Sequence, residues 1–208
     1  MIMKSRVCLV AILVAGNAAA FGPAVISWTG GSQFSSFYGS LQATPDMVGF
    51  RFNVSTDLLV TELGFWGDTS GGQQASHEVM LWRQSDAFLM GQATVAPGAP
   101  VDTFGYTAVS PILLTAGVDY VVAADYWTGG PDAYVSGPTS ATYDPLMTHV
   151  GASHPAAINM GYVMPTTLTT SNRGRFGPNM TLAAVPEPAS FAVLGLGAAA
   201  LLRRRRQR

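Results

Sequence analysis

Cysteine is almost missing from this 208-residue chain, and the single one, Cys8, lies in an apolar run near the N-terminus. Whatever folds downstream of it has no disulfide, so its stability rests on packing, hydrogen bonds or a bound ion. Cys8 also sits too early in that run, without the small-residue context of a lipidated cysteine. Lysine is just as scarce: Lys4 is the only one. Between residues 21 and 184 four arginines (Arg51, Arg83, Arg173, Arg175) face eleven acids, a balance near minus seven that the whole-chain value of minus one conceals. A region this short of clustered cations has no footing on phosphate, which excludes nucleic acid as a partner.

Helical periodicity is the next absence. Gly, Pro, Ser and Thr clusters divide the central region into short apolar runs, and no stretch keeps apolar residues at helical spacing. The pattern that remains is alternation. Strands are expected over Met47 to Val54, with Val48, Phe50, Phe52 and Val54 on one face, then over Leu58 to Trp66 and His77 to Arg83. Others follow at Phe88 to Val95, Phe104 to Val109, Ile112 to Leu114, Tyr120 to Tyr126 and Met180 to Ala184. Between Val135 and Arg175 alternation weakens and loops are expected. The spacing reads as all-β, an antiparallel β-sandwich or jelly roll over residues 21–184.

The two ends have a different character. Lys4 and Arg6 precede an apolar run from Val7 to Ala15, and Ala18, Ala19 and Ala20 supply the small residues of a signal-peptidase site. Residues 1–20 therefore read as a signal peptide with an N-terminal signal helix, leaving Phe21 as the first mature residue; a cut after Ala24 is the alternative. At the other end, residues 185–208 run from Val185, Pro186, Glu187 and Pro188 through an apolar segment, Ala189 to Leu202, to the cluster Arg203, Arg204, Arg205 and Arg206. A hydrophobic helix of about 14 residues rises roughly 21 Å, short of the roughly 30 Å hydrocarbon core. The arginines resist translocation and act as a membrane-stop cluster.

This C-terminal order of motif, apolar segment and arginines resembles the PEP-CTERM sorting signal. The resemblance implies export in a Gram-negative bacterium and transient inner-membrane insertion through the C-terminal helix. It further implies processing by an exosortase near Pro186-Glu187-Pro188, then residence at the cell surface or secretion, in the company of exopolysaccharide. Signal peptidase and exosortase are thus the expected partners during export. Within the central region, Val48-Gly49-Phe50-Arg51-Phe52, Leu63-Gly64-Phe65-Trp66, Val79-Met80-Leu81-Trp82 and Leu114 to Val122 resemble an uncharacterised family of bacterial extracellular β-sandwich domains. That second resemblance spans residues 47–126 and lends no activity.

Residues for chemistry are few. His77, His149 and His154 are the only histidines; a zinc site would need His149 and His154 with a third ligand such as Asp144, and the spacing argues against it. Loop aspartates Asp68, Asp125, Asp132 and Asp144 would suit a structural calcium. They lack a spaced calcium motif, and their expected role is to cap local backbone donors, so no cofactor is expected. No Gly-x-Ser-x-Gly elbow is present, and Glu62 and Glu78 fall on strands. Trp28, Trp66, Trp82, Trp127, Tyr106, Tyr126 and Tyr134 could build a sugar-stacking platform, but Trp66 and Trp82 read as core. Trp127, in the loop-like Asp125 to Asp132 stretch, is the candidate ligand aromatic. The expected protein is a non-enzymatic surface or extracellular-matrix component associated with exopolysaccharide or biofilm; a carbohydrate-binding module is the alternative, and a secreted hydrolase is less favoured.

Overall fold

The computed structural model describes residues 20–39 and 43–186. The expected signal helix, the C-terminal hydrophobic helix, Glu187, Pro188 and Arg203 to Arg206 lie outside the described residues. Every regular element among the described residues is a strand: β1 (Ala20–Pro23), β2 (Val25–Thr29), β3 (Ser32–Phe34), β4 (Asp46–Val54), β5 (Leu58–Trp66), β6 (His77–Arg83), β7 (Phe88–Val95), β8 (Phe104–Leu114), β9 (Tyr120–Tyr126), β10 (Tyr134–Ser136), β11 (Ser140–Tyr143), β12 (Met147–His154), β13 (Thr167–Thr169), β14 (Arg175–Phe176) and β15 (Pro178–Ala184).

Two antiparallel sheets do most of the packing, a four-stranded one ordered β1-β15-β5-β8 and a six-stranded one ordered β13-β12-β4-β9-β6-β7. The arrangement is sandwich-like. Alternation explains it: Val48, Phe50, Phe52 and Val54 of β4 and Val79 and Leu81 of β6 point into one core, meeting Leu58, Val60, Leu63 and Phe65 of β5 and Met180 and Leu182 of β15. Strand β9 lies between β4 and β6 and is buried on both faces, as a central strand with a continuous apolar run should be. Its residues Val121 and Ala123 turn outward with Met47, Met80, Trp82 and Met164 into a second, smaller cluster. Trp66 and Trp82 are 2 % and 4 % exposed, the core positions their strands imply.

The structure corrects two sequence boundaries. Phe104 to Leu114 is one strand across Pro111, where two were expected. Strand β8 is the edge of its sheet, so a residue without an N–H is accommodated there, and the ladder shifts register opposite Val60 and Glu62. The segment from Val135 to Arg175, expected as loops, holds β11, β12, β13 and most of β10 within its span. These strands are short or half-exposed and carry little periodicity to read.

Strand β1 pairs with β15, Ala20 opposite Ala183. The first and last strands of the domain therefore leave from the same end of one sheet. Ala24 is fully buried; its N–H donates to the Met180 carbonyl at 2.8 Å and its carbonyl accepts from the Asp144 N–H at 2.9 Å. Cleavage after Ala24 would strip β1 from the sheet, so the mature N-terminus is expected at Phe21. N-terminal sequencing of the exported protein checks this, and a Val25 start would contradict it.

Candidate functional site

The most densely bonded polar cluster surrounds His77, the first residue of β6. Its Nδ1 lies 2.8 Å from the Asp125 carbonyl and 3.2 Å from Asp125 Oδ1, and its Nε2 lies 3.0 Å from Asp132 Oδ2. The ring stacks on Phe65 with centroids 3.7 Å apart and planes 1° apart. A neutral imidazole has only one N–H, which would leave its bare nitrogen facing a carboxylate; the protonated ring donates at both ends. Burial pulls the His77 pKa down, but the hydrogen bonds and charges of Asp125 and Asp132 outweigh it, and the net shift is upward.

The same carboxylates hold loops. Asp132 accepts the Gln74 and Ala75 N–H groups, each at 2.7 Å, and Asp125 accepts the Glu78 N–H at 2.8 Å. Asp68 accepts from Ser70 N–H and hydroxyl, from Gly71 N–H, and through its other oxygen from Ala133 N–H. Three of the four aspartates that would suit calcium thus converge around one loop junction, and their oxygens receive backbone donors; Asp68 caps local donors as expected, whereas Asp125 and Asp132 take theirs from residues 47 to 58 positions away. Asp144 stands apart and accepts the Leu146 N–H at 2.8 Å. Among the described residues no group of three His, Cys, Asp or Glu side chains is arranged to hold a metal ion.

The aromatic residues divide. Tyr126 and Tyr134 are buried against each other at 4.9 Å, and Trp82 belongs to the smaller apolar cluster. Trp127 is 40 % exposed in a turn closed by the Gly130 N–H on its carbonyl, and it touches no other ring among the described residues. Trp28 is placed quite differently. Its ring lies 5.2 Å from Trp66 and 5.9 Å from Phe104, both edge-to-face, and 5.0 Å from Phe176. Ile26, Ser27, Trp28, Trp66, Asp102 and Phe104 line a cleft of 270 Å³ at this point. A second, open cleft of 460 Å³ lies beside Tyr143, His149 and Arg173.

Residues 38–176 match the model of a domain of unknown function, DUF4082. That span is well over half of the chain. The chain belongs to the DUF4082 family. Residues 184–206 match the PEP-CTERM protein-sorting motif, which marks the protein as exported toward the surface of a Gram-negative cell and processed by an exosortase. A search of curated proteins finds no match.

Within the DUF4082 span the two histidines considered for zinc do not meet at a site. His149 stacks on Tyr143 at 5.1 Å, and burial pushes its pKa down to about 4. His154 stacks on Phe37 at 4.1 Å and bonds the Pro155 carbonyl. The sorting residues Val185 and Pro186 follow β15 directly, with Val185 38 % exposed. Sequence reasoning singled out Trp127 and missed Ile26, Ser27, Asp102 and Phe104 as neighbours of Trp28. Nothing local joins Asp102 and Phe104 to Trp28, which lies before the DUF4082 span on a strand that pairs with β11 more than a hundred residues later. The one available signal was Trp28 itself, grouped among the platform aromatics.

Proposed function

We propose that the mature DUF4082 domain is a non-enzymatic surface or extracellular-matrix component, retained with exopolysaccharide or biofilm after exosortase processing. The sorting motif over residues 184–206 carries this reading. Two features of the domain support it. The chain enters β1 and leaves β15 at the same end of that pair, which puts both expected cleavage points at one end of the folded domain. Two buried titratable groups near the loop junction are also committed to structural bonds: His77 to Asp125 and Asp132, and Asp68 to backbone donors. A catalytic acid or base needs a proton path to substrate, which a group bonded within its own fold at both ends does not offer.

Fractionation of producing cells should place the protein in the surface or matrix fraction, with a mass that begins at Phe21 and ends near the Pro186-Glu187-Pro188 motif. Full-length protein in the cytoplasm would end this reading. A second reading, a carbohydrate-binding module, is favoured by the Trp28 cleft. Its aromatic floor and polar rim are the combination that takes up an amphipathic ligand such as a sugar.

A further inference from the structure

The geometry points to the cleft between β2, the end of β5 and the start of β8 as a binding subsite for one uncharged sugar ring of an extracellular polysaccharide. The inference rests on the polysaccharide association proposed above and names the place and chemistry of the contact. The floor is aromatic. Trp28 is half-buried, steadied edge-on by Trp66 and Phe104 and from another side by Phe176, so its ring is held in one orientation without being enclosed. A fixed, partly exposed indole loses little side-chain entropy when the C–H face of a pyranose settles on it.

The rim supplies an acceptor. Asp102 occupies a turn with φ of 57°, its own N–H donating to the Gly67 carbonyl at 2.9 Å, and is exposed at the mouth. Its carboxylate accepts no hydrogen bond from the described residues. Sugar hydroxyls can donate to it, and such charge-assisted bonds are about twice as strong as neutral ones. Ser27, exposed on β2, also lines the cleft. Among the described residues no cation lines the cleft. An anionic sugar would meet Asp102 and the domain's net negative charge, so the arrangement selects an uncharged ring.

Size sets how the polymer is held. At 270 Å³ the cleft falls below the roughly 300–1,000 Å³ of sites that enclose a drug-sized ligand. It takes one ring and leaves the rest of the polymer in solvent. Affinity per site is therefore weak, and retention comes from many copies meeting a repeating polymer. This differs from Trp127, which is 40 % exposed and touches no other ring among the described residues.

Affinity electrophoresis tests the assignment on the full-length chain, kept soluble in a non-ionic detergent without a sugar headgroup. The probes are hydroxyethylcellulose, dextran and galactomannan, with alginate as the anionic polymer. At least one neutral polymer is expected to retard the protein and alginate is not. Trp28→Ala should weaken that retardation about tenfold and Asp102→Asn about threefold, while Trp127→Ala leaves it unchanged. Asp102→Asn guards against a folding artefact, since asparagine tolerates the left-handed turn and the carboxylate it replaces accepts no hydrogen bond from the described residues. Absence of retardation by every neutral polymer, stronger retardation by alginate, or loss with Trp127→Ala alone each overturns the subsite. Surface fractionation is read separately, so failure of the cleft is distinguishable from failure of the matrix assignment.

Discussion

Asp132→Ala is expected to cost the domain about 3–5 kcal/mol, the range for removing one partner of a buried ion pair. Asp132 is 2 % exposed and satisfies three donors, the N–H groups of Gln74 and Ala75 and Nε2 of His77. Alanine leaves all three donors without that acceptor, and the His77 ring, when protonated, keeps only Asp125 to balance its charge. For a domain of this size the midpoint of thermal unfolding should fall by about 10 °C or more. Asp132→Asn should lie between, because one oxygen still accepts from Gln74 while the amide NH₂ faces the Ala75 and His77 donors. A midpoint within 2 °C of the parent, followed by circular dichroism, is not compatible with a buried charge pair at this position.

The same cluster gives stability a pH dependence of known sign. The His77 pKa is raised on folding, so its stabilisation is complete below the unfolded value of about 6.5 and is lost as pH rises through the folded one. His149 runs the other way: burial takes it down to about 4, so its contribution is present above about 6.5 and is lost as pH falls toward 4. Stability should peak near neutrality. His77→Gln removes the loss on the alkaline side, and His149→Asn removes it on the acid side. Urea midpoints measured from pH 4.5 to 8.5 resolve the two limbs, and a parent curve that rises steadily across the range contradicts the assignment of His77.

How far the sequence reveals this structure depends on how local each cause is. Alternation at Val48, Phe50, Phe52 and Val54 reports a strand with one face inward, because side-chain direction has a period of two along the chain itself. The core facing those residues could be anticipated for the same reason. What alternation does not report is pairing. His77 meets Asp132 across a separation of 55 residues, and the aspartates look like any turn aspartates until the fold closes around the ring. Strand β2 shows the limit most sharply: Val25 is buried, Ile26, Ser27 and Thr29 are exposed and Trp28 is half-buried, so its burial follows its neighbours rather than its own pattern. Trp127 looked exposed because glycine and proline surround it, and exposed it is. Exposure alone did not separate it from Trp28, whose cleft is assembled by strands far apart in sequence.

Gly49→Ala is expected to be the most damaging single methyl addition in the six-stranded sheet. A Cβ at position 49 would lie 1.9 Å from the Val122 carbonyl oxygen, 2.7 Å from Ala123 Cα and 2.9 Å from the Val122 carbonyl carbon. All three are backbone atoms of β9, so no rotamer change relieves the overlap. Nor can the strands part cheaply, because β4 is bonded to β12 on its other side and β9 to β6, and Val122 and Ala123 are fully buried. Overpacking of this kind typically costs about 1–3 kcal/mol when side chains can yield, and more when only backbone can. A loss above about 3 kcal/mol is therefore expected, a large share of the roughly 5–15 kcal/mol that holds a domain together. Gly91→Ala provides the contrast: its Cβ would meet the Ile112 Cδ1 methyl at 2.4 Å, the far end of a side chain that can turn away, at a cost of about 1 kcal/mol or less. Urea unfolding of both variants separates the cases, and equal midpoints would show that β4 and β9 slide apart more easily than their bonding implies. The damage should also reach the polar cluster, since Gly49 pairs with Ala123 and Met47 with Asp125 along the same ladder. A shift of β9 at Ala123 moves the Asp125 carboxylate away from His77, so Gly49→Ala should weaken the alkaline limb of the stability profile as well as lowering the whole curve.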